Sequence, residues 1–191
     1  MGKALIWAVL LAATLLPLAA STTSSLLHWR PPVYLVAGFA GVLAMALLLV
    51  QPLLAARHLP GLQGARGRKL HRVTGATLLI CVLVHLTGLW ITSPPDVIDA
   101  LTFTSPTPFS PFGVIALWAL LATAGLALFR RKLRLRPRTW ARAHKGLGLV
   151  IVGTTVTHAL LIEGTMEPVS KALLAVLILM ATAWALLRPK P

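Results

Sequence analysis

Six long apolar segments dominate this sequence and restrict the chain to a membrane-embedded fold. A helix needs about 20 mainly apolar residues to cross the hydrocarbon core of a bilayer. Runs of about that length, separated by polar or Pro-rich stretches, predict transmembrane helices at residues 4–20, 33–55, 73–92, 112–129, 145–162 and 169–187. We therefore expect an all-α, polytopic helical bundle that forms a single domain over residues 1–191.

The composition agrees with a membrane protein. The chain is 57% hydrophobic and 12% charged, with a mean hydropathy of +0.84, outside the range of soluble domains. Cys81 is the single cysteine, which excludes an intrachain disulfide and a cluster held by several thiolates. The net charge of +14 would favour nucleic acid as the partner of a soluble protein. Here the cations follow membrane topology, so we expect a lipid bilayer and no nucleic acid.

The distribution of charge predicts the orientation of the chain. When successive loops are assigned to alternate sides, all but two of the 18 Lys and Arg residues fall on one side. The positive-inside rule makes that side cytoplasmic, with basic loops at 56–70 and 130–143 and both termini. The loop at 93–111 is then on the outer side. We expect an integral protein of the bacterial inner (plasma) membrane.

The first apolar segment has a second interpretation. Lys3, a short apolar run and the small residues that end it also describe a cleavable signal peptide. Cleavage would leave five transmembrane helices. We favour a retained helix, and the orientation of the other spans is the same in either case.

Four histidines form two pairs with the same separation. His71 and His85 belong to the third span, and His144 and His158 to the fifth; each gap is 14 residues. At 3.6 residues per turn, 14 residues is just under four turns, so each pair lies on nearly one helix face, about 21 Å apart along the axis. Each helix therefore offers two imidazoles at two depths.

The topology predicts how these imidazoles pair. The third and fifth spans cross the membrane in the same direction, so His71 would meet His144 near the cytoplasmic side and His85 would meet His158 near the outer side. Imidazole is a good axial ligand for haem iron. We predict two b-type haems stacked between the third and fifth helices, with electron transfer across the bilayer. A zinc or copper site fits poorly, because the two histidines of one helix are too far apart to share an ion.

Several residues near the histidines have candidate roles toward haem. The cations beside the inner pair include Arg72 and Lys145, which are candidate partners of the propionates. Arg30 and Lys171 are the two cations on the outer side and are candidates for the outer haem or for an anionic partner. Nearby glycines would let a flat macrocycle approach the backbone, although helix packing explains each of them equally well: Gly75, Gly88, Gly146, Gly148 and Gly153.

Other residues receive structural interpretations. His28 and His58 lie in predicted loops and are interpreted as surface residues. Cys81 is interpreted as a small buried apolar side chain. Tryptophans near the span ends are interpreted as interfacial anchors: Trp29, Trp90, Trp140 and Trp184.

The two histidine-bearing segments resemble a known family. The sequences RKLHRVTGATLLICVLVH and RAHKGLGLVIVGTTVTH, with the six-span plan, resemble the ferric reductase-like transmembrane domain. That family includes the haem-bearing part of ferric reductases and NADPH oxidases and the membrane subunit of bacterial periplasmic methionine sulfoxide reductase. The resemblance implies that His71, His85, His144 and His158 are the haem ligands.

One departure from the large members of that family limits the functional prediction. Only RPKP follows the sixth span, and no flavin or nicotinamide site is evident. We expect electrons from a separate cytoplasmic flavin reductase or from quinol, and an outer acceptor that is ferric iron, oxygen or a partner reductase. Whether the chain is itself an enzyme or an electron-transfer subunit of an oxidoreductase stays open.

Other functions compete with this prediction. The histidine spacing is also typical of respiratory and ascorbate-linked cytochromes b. A transporter or proton-conducting protein with structural histidines and no haem is a further alternative, as is a structural or assembly subunit of the membrane.

Overall fold

The computed structural model describes residues 2–187, and every regular element in that range is helical. A short 3₁₀ turn, Ser25–Leu27, follows the first of seven α-helices. The helices are α1 (Lys3–Thr22), α2 (Pro32–Ala55), α3 (Gly64–Thr92), α4 (Pro94–Leu101), α5 (Ser110–Leu128), α6 (Pro137–Leu161) and α7 (Pro168–Leu187). The prediction of an all-α fold is confirmed for this part of the chain. Arg188 and Lys190, counted among the cytoplasmic cations, lie outside the described residues.

Five of these helices are long and apolar enough to cross a membrane: α1, α2, α3, α5 and α7. Helix α6 contains the fifth predicted span and has 25 residues, but it does not meet the same criterion within residues 2–187. The reason is that His, Lys, Thr and Gly residues dilute its apolar stretch. Length and composition therefore support an integral membrane protein with five candidate spans, and the span predicted from the apolar run at 145–162 stays a prediction.

The helices also occupy parts of the predicted loops. Helix α3 begins at Gly64, inside the predicted basic loop 56–70, and α6 begins at Pro137, inside 130–143. The outer loop 93–111 contains the short helix α4 and the first residues of α5. A search for apolar runs finds only the segment of a helix that lies in lipid, whereas these helices continue past it.

The chain divides into two compact units. The first unit comprises Met1–Pro94 and Glu163–Pro191 and contains α1, α2, α3 and α7. Helix α2 packs against the other three, and Leu174 and Ile178 of α7 are fully buried. Helices α2 and α3 approach closely where Gly88 faces Ala37, as small residues permit in membrane helices.

The connection before α7 is also part of the first unit's packing. Thr165 and Met166 are buried, and the Thr165 side chain lies against the backbone of Gly38, so that a Cβ at Gly38 would overlap it. The Glu167 carboxylate accepts hydrogen bonds from the backbone N–H groups of Val169, at 2.6 Å, and Ser170, at 2.7 Å. These bonds satisfy N–H groups that the first turn of a helix otherwise leaves unpaired.

The second unit, Pro95–Ile162, is built on the hairpin of α5 and α6. The connection between the two helices, 129–136, is rich in arginine. Both helices begin with a proline in their first turn, Pro111 in α5 and Pro137 in α6. Proline is favoured there because its missing N–H has no helical partner to lose.

We expect Gly88→Ala to weaken the packing of α2 on α3. A Cβ at Gly88 would lie 2.7 Å from the Ala37 Cβ and 3.3 Å from the Val33 carbonyl oxygen, and such overpacking costs about 1–3 kcal/mol. Thermal unfolding of the purified protein measures the loss. Gly75→Ala in the same helix is the control, because its Cβ would make only ordinary contacts with Gln51, the nearest at 3.5 Å. Equal stability of the two variants would contradict the expectation.

Candidate functional site

The four predicted ligands lie on two unbroken helices. His71 and His85 are on α3 in the first unit, and His144 and His158 are on α6 in the second. All four imidazoles are partly buried. Neither helix has a proline beyond its first turn, so the rise of a regular helix separates each pair by about 21 Å. The pairing between helices stays a prediction, because α3 and α6 belong to different units.

The side chain of His85 is held by helix α2. Its Nδ1 lies 2.8 Å from the carbonyl oxygen of Ala37, and because a carbonyl can only accept, the Nδ1–H donates. One turn further along α2, a Cβ at Gly41 would lie 3.0 Å from the same nitrogen. The absent side chain at Gly41 therefore makes room for the ring.

The side chain of His158 is held in the same way by helix α5. Its Nδ1–H donates to the carbonyl oxygen of Phe109 at 2.9 Å. A Cβ at Gly113, four residues later, would lie 2.8 Å from that nitrogen. The Phe109 ring also packs edge-on against the imidazole, with centroids 5.7 Å apart.

The same arrangement around a histidine therefore occurs twice within the chain. In each unit a backbone carbonyl is followed four residues later by a glycine of a long helix, and the next long helix supplies the histidine. The carbonyl of Ala37 is within α2, and that of Phe109 belongs to the N-cap residue of α5. The carbonyl precedes the histidine by 85 − 37 = 48 residues in the first unit and by 158 − 109 = 49 in the second. Neither carbonyl partner is apparent from the spacing of the histidines. An alignment of the α2–α3 segment with the α5–α6 segment that superposes the histidines places Gly41 opposite Gly113 when a gap of one residue is allowed.

The hydrogen bonds define the tautomer of His85 and His158. A neutral imidazole that carries its proton on Nδ1 has its lone pair on Nε2. Metal-bound histidines usually have this form, with the second nitrogen donating to a carbonyl that fixes the ring. His85 and His158 therefore fit a metal ligand, and the glycines provide space for the ring. Within residues 2–187 no group of three or more His, Cys, Asp or Glu residues could hold an ion, but haem needs only two axial imidazoles.

The inner histidines have different surroundings. Beside His71, Gln51 of α2 donates through Nε2 to the Thr74 hydroxyl at 2.8 Å and to the His71 carbonyl oxygen at 3.5 Å. These bonds connect α2 to α3 at the depth of His71.

On α6, the indole of Trp140 stacks on the imidazole of His144. The centroids are 5.1 Å apart and the planes differ by 14°. The guanidinium carbon of Arg130 lies 4.3 Å from the centroid of the Trp140 ring. Trp140 was interpreted from the sequence only as an interfacial anchor, and its contact with a candidate ligand was missed.

The four candidate propionate partners have different environments. Arg72 and Lys145 are exposed, each one residue after an inner histidine. Arg30 is exposed, with its guanidinium over the ring of Tyr34 at 4.7 Å. Lys171 is buried, with 8% of its surface exposed, in the first turn of α7.

The remaining sequence interpretations have mixed outcomes. Cys81 is buried and His28 is exposed, as expected. His58 is not a simple surface residue: it is partly buried and packs edge-on against Trp184, at 6.2 Å between centroids. The glycines near the histidines have different surroundings. Gly88 lies at the contact between α2 and α3, whereas no described atom outside its own helix backbone lies within 4 Å of a Cβ placed at Gly146, Gly148 or Gly153.

The fold defines a helical membrane protein with histidines in two of its long helices. The model of the ferric reductase-like transmembrane component family matches residues 40–155, more than half of the chain. The chain belongs to this family, and the resemblance seen in the sequence is confirmed. The match covers His71, His85 and His144 and ends three residues before His158.

Membership of the ferric reductase-like family indicates a general function. Domains of this family generally bind haem, which indicates a role in membrane electron transfer. No curated protein and no solved structure matches the chain.

Proposed function

We propose that this protein is a membrane b-type cytochrome that carries electrons across the bilayer on two bis-histidine haems. The observation that carries the proposal is the matched pair of His85 and His158, each with Nδ1–H bound to a backbone carbonyl and a glycine beside the ring. A polar side chain in a membrane helix is costly unless it has a function or a partner. The same kind of hydrogen bond holds both imidazoles with the proton on Nδ1. Metal ligation through Nε2 explains this arrangement better than helix packing does.

The proposed pairing follows from topology and register. His85 and His158 would hold an outer haem, and His71 and His144 an inner haem. Both helices carry their histidines at the same separation of 14 residues. Two ligand pairs at matching depths would form where the helices run in the same direction and face each other. The haems supply one-electron redox chemistry when bound.

The residues of this chain would hold, orient and tune that chemistry. The carbonyls of Ala37 and Phe109 orient the outer imidazoles and increase their basicity. Arg72 and Lys145 are suited to the propionates of the inner haem, because a guanidinium or ammonium forms charge-assisted hydrogen bonds with a carboxylate. Arg30 and Lys171 are the corresponding cations on the outer side.

The proposed direction of transfer is from the cytoplasm outward. The donor would be a cytoplasmic flavoprotein or quinol, and the acceptor would be ferric iron, oxygen or a partner reductase. The cytoplasmic assignment of both termini and the bacterial inner membrane are parts of the same proposal, and they rest on the positive-inside rule.

The visible spectrum of the purified protein tests the proposal. Two haems per chain, each with a reduced b-type Soret and alpha band and a separate midpoint in a redox titration, are expected. Protein that folds in the membrane but has no haem after expression with haem supplementation would defeat the proposal and favour a transporter with structural histidines.

Single substitutions of the histidines test the pairing. We expect His85→Ala and His158→Ala each to remove the same outer haem, and His71→Ala and His144→Ala each to remove the inner one. The measurement is the haem-to-protein ratio with the redox titration of the haem that remains. Loss of the inner haem from His85→Ala, with the outer haem retained, would contradict the pairing. His28→Ala is the control, because His28 is exposed, and it should keep both haems.

The glycines that accommodate the outer imidazoles provide a subtler test. Gly113→Ala would place a Cβ 2.8 Å from His158 Nδ1, which forces the ring away from the Phe109 carbonyl. Loss of such an orienting bond typically lowers metal affinity by about ten- to a hundredfold. We expect the outer haem to dissociate faster, measured by transfer to apomyoglobin, and the inner haem to be unchanged.

The control for this substitution lies in the same helix. Gly125→Ala adds a Cβ that meets no described atom outside its own helix backbone within 4 Å, so both haems should be retained as in the parent. Gly41→Ala in α2 should reproduce the effect of Gly113→Ala. Outer haem that dissociates from Gly113→Ala no faster than from Gly125→Ala would contradict the orienting role of the carbonyl.

A further inference from the structure

The second unit contains a stack of three side chains, from Arg130, Trp140 and His144. The proposed function assigns a role to His144 but none to the other two residues of the stack. Trp140 and His144 are four residues apart on α6, so they lie on one face of the helix. Their separation of 5.1 Å and angle of 14° are within the range of offset-stacked aromatic pairs. The stack therefore restricts rotation of the imidazole.

Arg130 adds a positive charge to this stack. Its guanidinium carbon is 4.3 Å from the Trp140 centroid, well within the distance of a cation–π interaction. Arg130 comes from the connection after α5, whereas Trp140 is in the first turn of α6. The interaction thus fixes the connection against the start of the helix that carries His144.

Nothing in the neighbouring sequence balances this charge. The chain has four acidic residues, and all of them are remote in sequence from the segment 130–145: Asp96, Asp99, Glu163 and Glu167. The Trp140 indole N–H is buried with no hydrogen-bond partner among the described residues, and an indole N–H can only donate. The segment that contains His144 therefore carries positive charge without a neighbouring acid in the sequence.

The two histidines of α6 therefore have neighbours with opposite effects on the charge of a bound iron. His158 donates to a carbonyl oxygen, which increases electron density on the ring and favours ferric iron. His144 stacks on a ring that has a cation over it, and this cation disfavours the additional positive charge of ferric iron. The stack therefore favours the reduced state.

We propose that Trp140 is a positioning residue for His144, and that with Arg130 it raises the reduction potential of the inner haem and fixes the plane of its axial imidazole. This inference rests on the proposed function, since it assigns the inner haem to His144. A raised potential makes the inner haem a better acceptor of electrons from the cytoplasmic donor and a weaker donor to the outer haem.

Redox titration and low-spin ferric EPR of the full-length protein with both haems test the inference. Arg130→Gln should shift the inner-haem midpoint to lower potential, with the outer haem unchanged. Arg131→Gln is the matched control, because it removes one charge from an exposed residue of the same connection, and its shift should be clearly smaller.

Substitutions of Trp140 distinguish the positioning of the His144 imidazole from the effect of the Arg130 charge. Trp140→Leu should lower the inner-haem midpoint and change the EPR g values of the inner haem, since these depend on the plane of the axial imidazole. Trp140→Phe keeps an aromatic face and should restore the parental g values. The outer-haem signal should be the same in all variants.

The outcomes distinguish this inference from the function on which it rests. Two haems with the parental inner midpoint in Arg130→Gln and parental g values in Trp140→Leu would overturn the inference and leave the proposed function intact. An equal shift in Arg130→Gln and Arg131→Gln would also overturn it, because net charge alone would then explain the effect. A parent protein that has no haem would overturn both.

Discussion

The interaction on which the candidate site depends is a hydrogen bond from an imidazole to a main-chain carbonyl inside the membrane region. An imidazole in hydrocarbon is unfavourable unless both ring nitrogens have a hydrogen-bond or metal partner. The bonds from His85 to Ala37 and from His158 to Phe109 satisfy one nitrogen, set the tautomer and fix the ring plane. The second nitrogen then has its lone pair in a defined direction, as ligation of a metal requires.

This interaction also explains features of packing that would otherwise be unrelated. For a ring on one helix to reach a carbonyl on its neighbour, the two helices must approach closely, and Gly88 against Ala37 gives that approach in the first unit. The ring must also fit beside the neighbouring helix, which Gly41 and Gly113 permit. In the first unit, Thr165 lies on Gly38, next to the residue whose carbonyl holds His85, so the connection before α7 is packed over the same turn of α2.

The sequence predicted much of the fold because the bilayer imposes a simple length rule on apolar helices. Helices α1, α2, α5 and α7 begin and end within about two residues of the predicted spans. Helices α3 and α6 begin about eight or nine residues earlier than predicted, since their basic first turns are helical but not apolar. For the site, the spacing of the histidines was visible in the sequence. Their partners were not, because two of them are main-chain carbonyls and because Trp140 has the position of an ordinary interfacial tryptophan.

The use of carbonyls as acceptors has a consequence for how this site can change during evolution. Every residue has a carbonyl, so the acceptor can be alanine at position 37 and phenylalanine at position 109 with no change in the hydrogen bond. Substitution at these positions leaves the carbonyl acceptor in place, whereas a single methyl group one turn later would displace the ring. In comparisons among related chains, the signature of an oriented ligand should therefore be a small residue at a nearly constant distance before the histidine, whereas the residue that makes the bond should vary within the limits of its own packing.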